Sequence, residues 1–276
     1  MSELTKSYGP VEAVRGVSFD VAPGEVFGLL GPNGAGKTTT VEILEGYRDR
    51  SGGEVRVLGR DPARRERELR ERVGIVLQEG GFYRRVTVRE AVEHFGSLYA
   101  GPRDPAETIA LVGLEDKRDA RTAELSGGQR RRLDLALALV GDPDVVFLDE
   151  PTTGFDPAAR RTAWGVIGAL KRLGKTVLLT THYLDEAQAL ADRVAIVKDG
   201  RIVAEGPPAE LGSGPRSYRV AYRDNGHVVE HRTDGPTELL HRLTGEAMQR
   251  GARLEGLSVS RPSLEDIYLE LMEEEQ

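Results

Sequence analysis

Apolar residues along this chain gather into short unbroken runs, each bounded by glycine, proline or charge. Residues 14–21, 26–30 and 53–58 read as three early strands, with Ala22-Pro23-Gly24 as the turn between the first two. Residues 37–47 read as a helix entered straight from a glycine-rich loop, and residues 73–77 as a compact buried strand. From about residue 79 to 140 the pattern becomes mostly helical. Thr87-Val88-Arg89-Glu90 and Ser126-Gly127-Gly128-Gln129 each have the form of a capping box that starts a helix. Residues 145–148, 176–180 and 194–197 resume the apolar strand pattern, with helices between them. Strands without polar alternation belong to a parallel sheet covered on both faces, so the main fold is α/β. Lys198-Asp199-Gly200-Arg201 reads as a hairpin turn into residues 202–204. The alternating Arg/Glu run at 64–72 reads as a solvated helix with internal ion pairs.

Past Pro207-Pro208 and Gly212-Ser213-Gly214-Pro215 the composition shifts, which marks a boundary. The reading is a main domain over 1–208 and a small α+β extension over 209–276. Residues 218–222, 228–231 and 254–260 are its candidate strands, and 237–250 and 262–272 its helices. So short a segment holds little core of its own and is expected to dock on something else.

Charge narrows the possible partners. The 38 basic and 45 acidic residues leave a net charge of −7, the wrong sign for a surface built along its length to neutralise nucleic-acid phosphates, though it leaves room for a local basic patch. The chain has 0 cysteines, which rules out disulfides and cysteine-bound zinc and suits a reducing compartment. No apolar stretch approaches the roughly 20 residues a membrane span needs. If the protein works at a membrane, another chain must cross it.

The chemistry begins at Gly31-Pro32-Asn33-Gly34-Ala35-Gly36-Lys37-Thr38, which fits the phosphate-loop pattern G-x-x-x-x-G-K-S/T. Its glycines let consecutive N–H groups face a polyphosphate. Lys37 supplies a point charge for the β- and γ-phosphates, and the Thr38 hydroxyl can ligate Mg²⁺. An apolar strand before it and a helix after it are the context such a loop requires. Val145-Val146-Phe147-Leu148 then delivers two acids, Asp149 and Glu150, at a strand end. Asp149 is the candidate metal ligand and Glu150 the candidate acceptor of a proton from attacking water. Leu125-Ser126-Gly127-Gly128-Gln129 is a second anion-binding helix start, since free N–H groups and the helix dipole favour a phosphate there.

These three segments, in this order, resemble the nucleotide-binding domain of the ATP-binding cassette superfamily over residues 4–208. The resemblance implies a phosphate-loop parallel-sheet core with an antiparallel β subdomain and a helical signature subdomain at about 79–140. It implies ATP and Mg²⁺ as the molecules bound, and nucleotide contacts from Tyr8, Gly31 to Thr38 and Thr39. Tyr8 resembles the aromatic that stacks on adenine. Gln78 resembles the residue that senses Mg²⁺ and γ-phosphate, and His182 the switch histidine. Asp156, in Gly154-Phe155-Asp156-Pro157, resembles the position that links two active sites. Phe155 stands where the family usually has leucine. Only Met1, Ser2 and Glu3 precede Leu4, so the first strand is expected to be clipped.

In the family, Leu125 to Gln129 complete the ATP site of an opposite subunit, which implies a homodimer or a pair with a related chain. Residues 39–48, 125–133 and 261–269 look like those of bacterial drug and antibiotic exporters. The expected function is therefore an ATPase subunit at the cytoplasmic face of the membrane, powering export through separate membrane subunits. The loop 79–85, with Phe82 and Tyr83, lies where the family receives a helix of that subunit. The alternative is a soluble cassette ATPase acting on nucleic acid or ribosomes. Such proteins usually carry a second cassette, a long coiled coil or zinc-binding cysteines.

Overall fold

The computed structural model describes residues 1–76, 85–211, 218–224, 227–261 and 263–273. Gln78, Phe82 and Tyr83 lie outside the described residues. Contacts divide the chain into two compact units, Met1–Glu205 and Gly206–Gln276.

In the first unit, β1 (Ser2–Tyr8) and β2 (Val11–Val17) form an antiparallel pair, and β3 (Val26–Leu30) and α1 (Lys37–Leu44) follow. Strand β4 (Gly52–Glu54) pairs with the other edge of β1, giving the order β2-β1-β4. Where the sequence suggests a clipped first strand, β1 runs for seven residues and is paired on both sides. Only Leu4 of β1 is buried, so its side chains carry little strand pattern and backbone pairing holds it. Helix α1 is also shorter than its apolar pattern suggests. Gly46 turns the chain away at φ +81°, and a Cβ there would lie 2.7 Å from the Pro62 carbonyl oxygen.

The Arg/Glu run yields only α2 (Arg67–Arg70), not a helix over 64–72. A 3-10 turn at Pro62–Arg64 and a left-handed Arg65 (φ 51°) interrupt it, and Arg60 takes the ion pairs to Glu66 and Glu68. Strand β5 (Val73–Val76) and the helices α3 (Val88–Gly96), α4 (Pro105–Leu111) and α5 (Gly127–Leu139) come next. Both expected capping boxes are present, at Thr87 with Glu90 and at Ser126 with Gln129.

Then come β6 (Val145–Asp149), α6 (Pro157–Arg172), β7 (Thr176–Thr181), α7 (Leu184–Leu190), β8 (Arg193–Lys198) and β9 (Arg201–Gly206). The large sheet has the order β5-β6-β7-β3-β8-β9. Its pairs from β5 to β8 are parallel. Asp199 and Gly200, both with positive φ, make the tight turn into β9. Burial on both faces explains the unbroken apolar strands. Val146, Leu148, Val177 and Leu179 join a core with α3 to α6. Val145, Phe147, Leu178 and Phe27 face the other way, into a core with Leu4, Val14 and Val17 of the antiparallel sheet.

The second unit is a three-stranded antiparallel sheet, β10 (Tyr218–Asp224), β11 (His227–Thr233) and β12 (Glu255–Ser260), in the order β11-β10-β12. Helix α8 (Pro236–Gln249) packs Leu243 against Val220 and Tyr222. Helix α9 (Leu264–Glu273) is tied to the sheet through Arg219–Asp266 and Arg232–Glu270 ion pairs. Among the described residues, no helix is long and apolar enough to cross a membrane.

Candidate active site

The loop from Gly31 to Gly36 leaves the buried end of β3 and turns directly into α1. Two of its glycines are required by the chain itself. A Cβ on Gly31 would lie 2.2 Å from the Val197 carbonyl oxygen. At Gly36 (φ +99°) it would lie 2.4 Å from that of Ala13. The loop therefore sits between β8 and the antiparallel sheet with its backbone open to the outside. It borders a cavity of about 310 Å³ that Asn33, Gly34, Lys37, Thr38, Thr39 and Glu150 help to line. Ala35 is buried below, in the core with Val41.

Lys37 is 4% exposed. Its ammonium donates to the carbonyl oxygens of Gly31 (2.7 Å) and Pro32 (2.9 Å), so it folds back along the loop. Burial pushes its pKa down, while the charges of Glu150 and Asp149 act to raise it. A buried cation whose hydrogen bonds, among the described residues, go to neutral carbonyls favours a further anion beside it.

Strand β6 carries its two acids to the same edge. Thr38 Oγ1 donates to Asp149 Oδ1 across 3.5 Å. Thr180, one strand over on β7, donates its hydroxyl to the same carboxylate oxygen and accepts from the Glu150 amide at 3.0 Å. Glu150 has a left-handed backbone (φ 45°), uncommon for a non-glycine residue, which turns its side chain out of the strand. Its Oε1 lies 3.2 Å from His182 Nδ1, and its Oε2 accepts from the Thr153 hydroxyl at 3.1 Å. His182 follows the end of β7, so adjacent strands bring it to Glu150.

The segment Ser126 to Gln129 opens α5, with the Ser126 hydroxyl accepting from the Gln129 amide. Leu125 is buried in the helical core and anchors it. A second groove, about 710 Å³, runs along Ser126, Gly127, Gly128, Thr153, Asp156 and Glu150. Asp156 caps α6, its Oδ1 accepting from the amides of Ala158 (2.9 Å) and Ala159 (2.8 Å). Among the described residues, nothing would obstruct a Cβ on Gly127, and one on Gly128 would meet Ala159 at 3.6 Å, an ordinary contact.

Glu150 lines both the loop cavity and this groove, while Ser126 to Gln129 line only the groove. Tyr8 ends β1 with its ring exposed, and the cations of Lys6 and Arg48 lie 4.9 and 5.7 Å from the ring centre. It does not line the loop cavity.

The sequence reading missed three participants. Thr180 positions both acids. Arg131 of α5 donates to the carbonyl oxygens of Asp149 (2.9 Å) and Pro151 (3.3 Å), linking the Ser126 helix to the acid pair. Glu45 lies near enough for Asp149 to raise its pKa, after burial, to about 8. Each belongs to a side chain whose partner is distant in sequence, and no local pattern marks them.

A glycine loop between a parallel strand and a helix, with an acid pair on a neighbouring strand, defines a phosphate-loop nucleoside triphosphatase. The family model described as "ABC transporter" matches residues 14–153. The Nod factor export ATP-binding protein I of Paraburkholderia xenovorans is 43% identical, covering 98% of this chain and 95% of that protein. A fluoroquinolones export ATP-binding protein of Mycobacterium tuberculosis is 40% identical, over 94% of this chain and 87% of its own. A dimeric post-hydrolysis ATP-binding cassette bound to ADP and Pi is 25% identical, with a TM-score of 0.66, covering 75% of this chain and 97% of that one. The chain belongs to the ATP-binding cassette transporter family and is an ATPase subunit of that family. These relatives are transporter components, and the alternative of action on nucleic acid or ribosomes is set aside.

Proposed function

We propose that this chain drives export of a drug, antibiotic or related hydrophobic compound. It would act as a pair of copies seated at the cytoplasmic face of the membrane on separate integral membrane subunits. The two export proteins it resembles along nearly their whole length support the direction. The observation that carries the two-copy reading is the pair Gly127 and Gly128. Among the described residues nothing crowds these two glycines, so their backbone at the start of α5 stands open to an anion from outside, which supports a phosphate held by the other copy.

In this reading the loop amides and Lys37 hold the β- and γ-phosphates of ATP, and Tyr8 takes the adenine. Thr38 and Asp149 fit Mg²⁺: a hydroxyl and a carboxylate oxygen 3.5 Å apart suit an ion that takes few protein ligands and keeps water and phosphate oxygens. Bound there, the ion supplies positive charge against that of the transferring phosphoryl group.

Glu150 accepts a proton from water as the water oxygen bonds to the γ-phosphorus and the bond to the bridging oxygen breaks, leaving ADP and phosphate. His182 and Thr153 hold the Glu150 carboxylate, and His182 reaches the γ-phosphate. Gln78 would sense the ion and the γ-phosphate. Asp156, in the groove beside Ser126, links this site to that of the other copy.

Three measurements test this reading. Lys37→Ala should weaken nucleotide binding by roughly tenfold or more, since a charge-assisted phosphate contact is lost. Asp149→Asn should shift the Mg²⁺ dependence of turnover. Affinity purification from membranes should recover an integral membrane protein with the chain. Unchanged Mg-ATP binding in both variants contradicts the site, and the absence of a membrane partner contradicts the export reading.

A further inference from the structure

Both oxygens of the Glu150 carboxylate are held by side chains that trace back, by separate routes, to one face of α6. Along the first route, Thr153 donates to Glu150 Oε2. Its neighbour Thr152, fully buried, donates its hydroxyl to Glu186 Oε1 at 2.8 Å. The same Glu186 oxygen accepts from the indole N–H of Trp164 on α6 at 3.2 Å. Along the second route, His182 Nδ1 lies 3.2 Å from Glu150 Oε1. The His182 ring packs on Tyr183 at 4.1 Å. The Arg160 guanidinium lies 4.2 Å from the Tyr183 ring centre and donates to Asp185 at 3.2 Å. Arg160 and Trp164 are four apart on α6, hence on one face of the helix.

Glu186 is an odd residue to find here. It is 0% exposed in the first turns of α7. One carboxylate oxygen takes both donors while the other, Oε2, is buried without any. A buried carboxylate oxygen left unpaired has lost its water and gained nothing in return. A purely structural tie would be better made by a neutral acceptor. Arg160 repeats the oddity from the other side, since its Nε–H is buried with no acceptor. An orphan acceptor on α7 and an orphan donor on α6 are complementary in kind.

We propose that Glu186 and Arg160 are positioning residues that transmit the setting of α6 to the Glu150 carboxylate. Asp156, which caps α6, lies in the groove shared with Ser126, Gly127 and Gly128. Whatever fills that groove bears on the start of α6. A small shift of α6 along α7 brings the Arg160 Nε–H toward Glu186 Oε2 and moves both routes together. Glu150 is thereby aimed only when the groove is occupied. This inference rests on the reading of Glu150 as proton acceptor.

The test is steady-state ATPase of the full chain beside equilibrium nucleotide binding and thermal melting. Glu186→Ala and Thr152→Val break the same route, so each should lower kcat by roughly 10- to 100-fold with nucleotide affinity held within about twofold. The double variant should fall no further. Glu186→Gln keeps an oxygen for the Thr152 and Trp164 donors but puts an NH2 donor where Oε2 would receive the Arg160 Nε–H, so it should melt like the parent while kcat stays lowered by roughly tenfold. Arg160→Leu breaks the other route, and its loss should multiply with that of Thr152→Val. Thr152→Val and Arg160→Leu carry the test even if Glu186→Ala fails to fold. Normal kcat in these two, or parallel loss of affinity, kcat and melting temperature, overturns the proposal. Glu150→Gln, measured alongside, separates the two claims: turnover surviving in that variant removes the proton-acceptor reading itself.

Discussion

Thr180 stands directly across from Asp149 on the neighbouring parallel strand, and one hydroxyl serves both acids of the site. It donates to the Asp149 carboxylate and accepts from the Glu150 amide. The residue is fully buried, so water cannot replace it. Thr180→Val keeps shape and volume but leaves a carboxylate oxygen and an N–H each short of a partner, at a cost of about 1–3 kcal/mol. The variant should melt at lower temperature and need roughly tenfold more Mg²⁺ for half-maximal turnover. Thr180→Ser should behave like the parent. A valine variant with unaltered Mg²⁺ dependence contradicts the positioning role.

Glu45 gives a pH signature. Burial, with the charges of Asp149 and Glu42 behind it, raises its pKa from 4.5 to about 8. The folded state therefore binds this proton more tightly than the unfolded state does. Stability is lost as pH rises from the unfolded pKa through the folded one, and the full penalty is present above it. Glu45→Gln removes the penalty. Its melting temperature should exceed that of the parent at about pH 9 and converge on it below about pH 4. A difference that does not change with pH contradicts the shifted carboxyl.

Ser126 is exposed at the start of α5 and does not line the loop cavity of its own chain. Ser126→Arg should leave nucleotide binding by a single copy nearly intact and abolish turnover by blocking closure of the pair. Mixed with Lys37→Ala subunits, it should regain at most one working site per mixed dimer. Activity near that of the parent for Ser126→Arg alone contradicts the shared site.

What the sequence made legible was whatever is local. The phosphate loop is a contiguous string, and its glycines are demanded by contacts that any sequence with this fold must meet, as Gly31 against Val197 shows. The parallel strands were legible because burial on both faces leaves no polar alternation, as in β6. The caps at Thr87 and Ser126 were legible because both halves of each box lie within one turn. Strand β1 was less so, because only Leu4 is buried and the pairing is made by backbone. The Arg/Glu run misled because helical spacing does not reveal Pro62 and Arg65 breaking the helix. Thr180 and Glu186 were invisible for a further reason. A threonine in an apolar strand and a glutamate in a polar helix look ordinary until their partners, 31 and 34 residues away, are placed.

The central claim is that Glu150, held between His182 and Thr153 beside the phosphate loop, takes the proton from the attacking water. Glu150→Gln preserves the shape of the side chain and leaves Lys37, Thr38 and Asp149 in place, so Mg-ATP should still bind. Hydrolysis should fall by roughly 100-fold or more, the scale of a lost general base. With ATP bound and not turned over, the two copies should remain closed on each other. The most direct measurement is gel filtration of Glu150→Gln with Mg-ATP, beside single-turnover hydrolysis of the same sample. The account predicts an ATP-loaded dimer with negligible product, and a protein that turns over ATP at the parent rate without forming that dimer contradicts it.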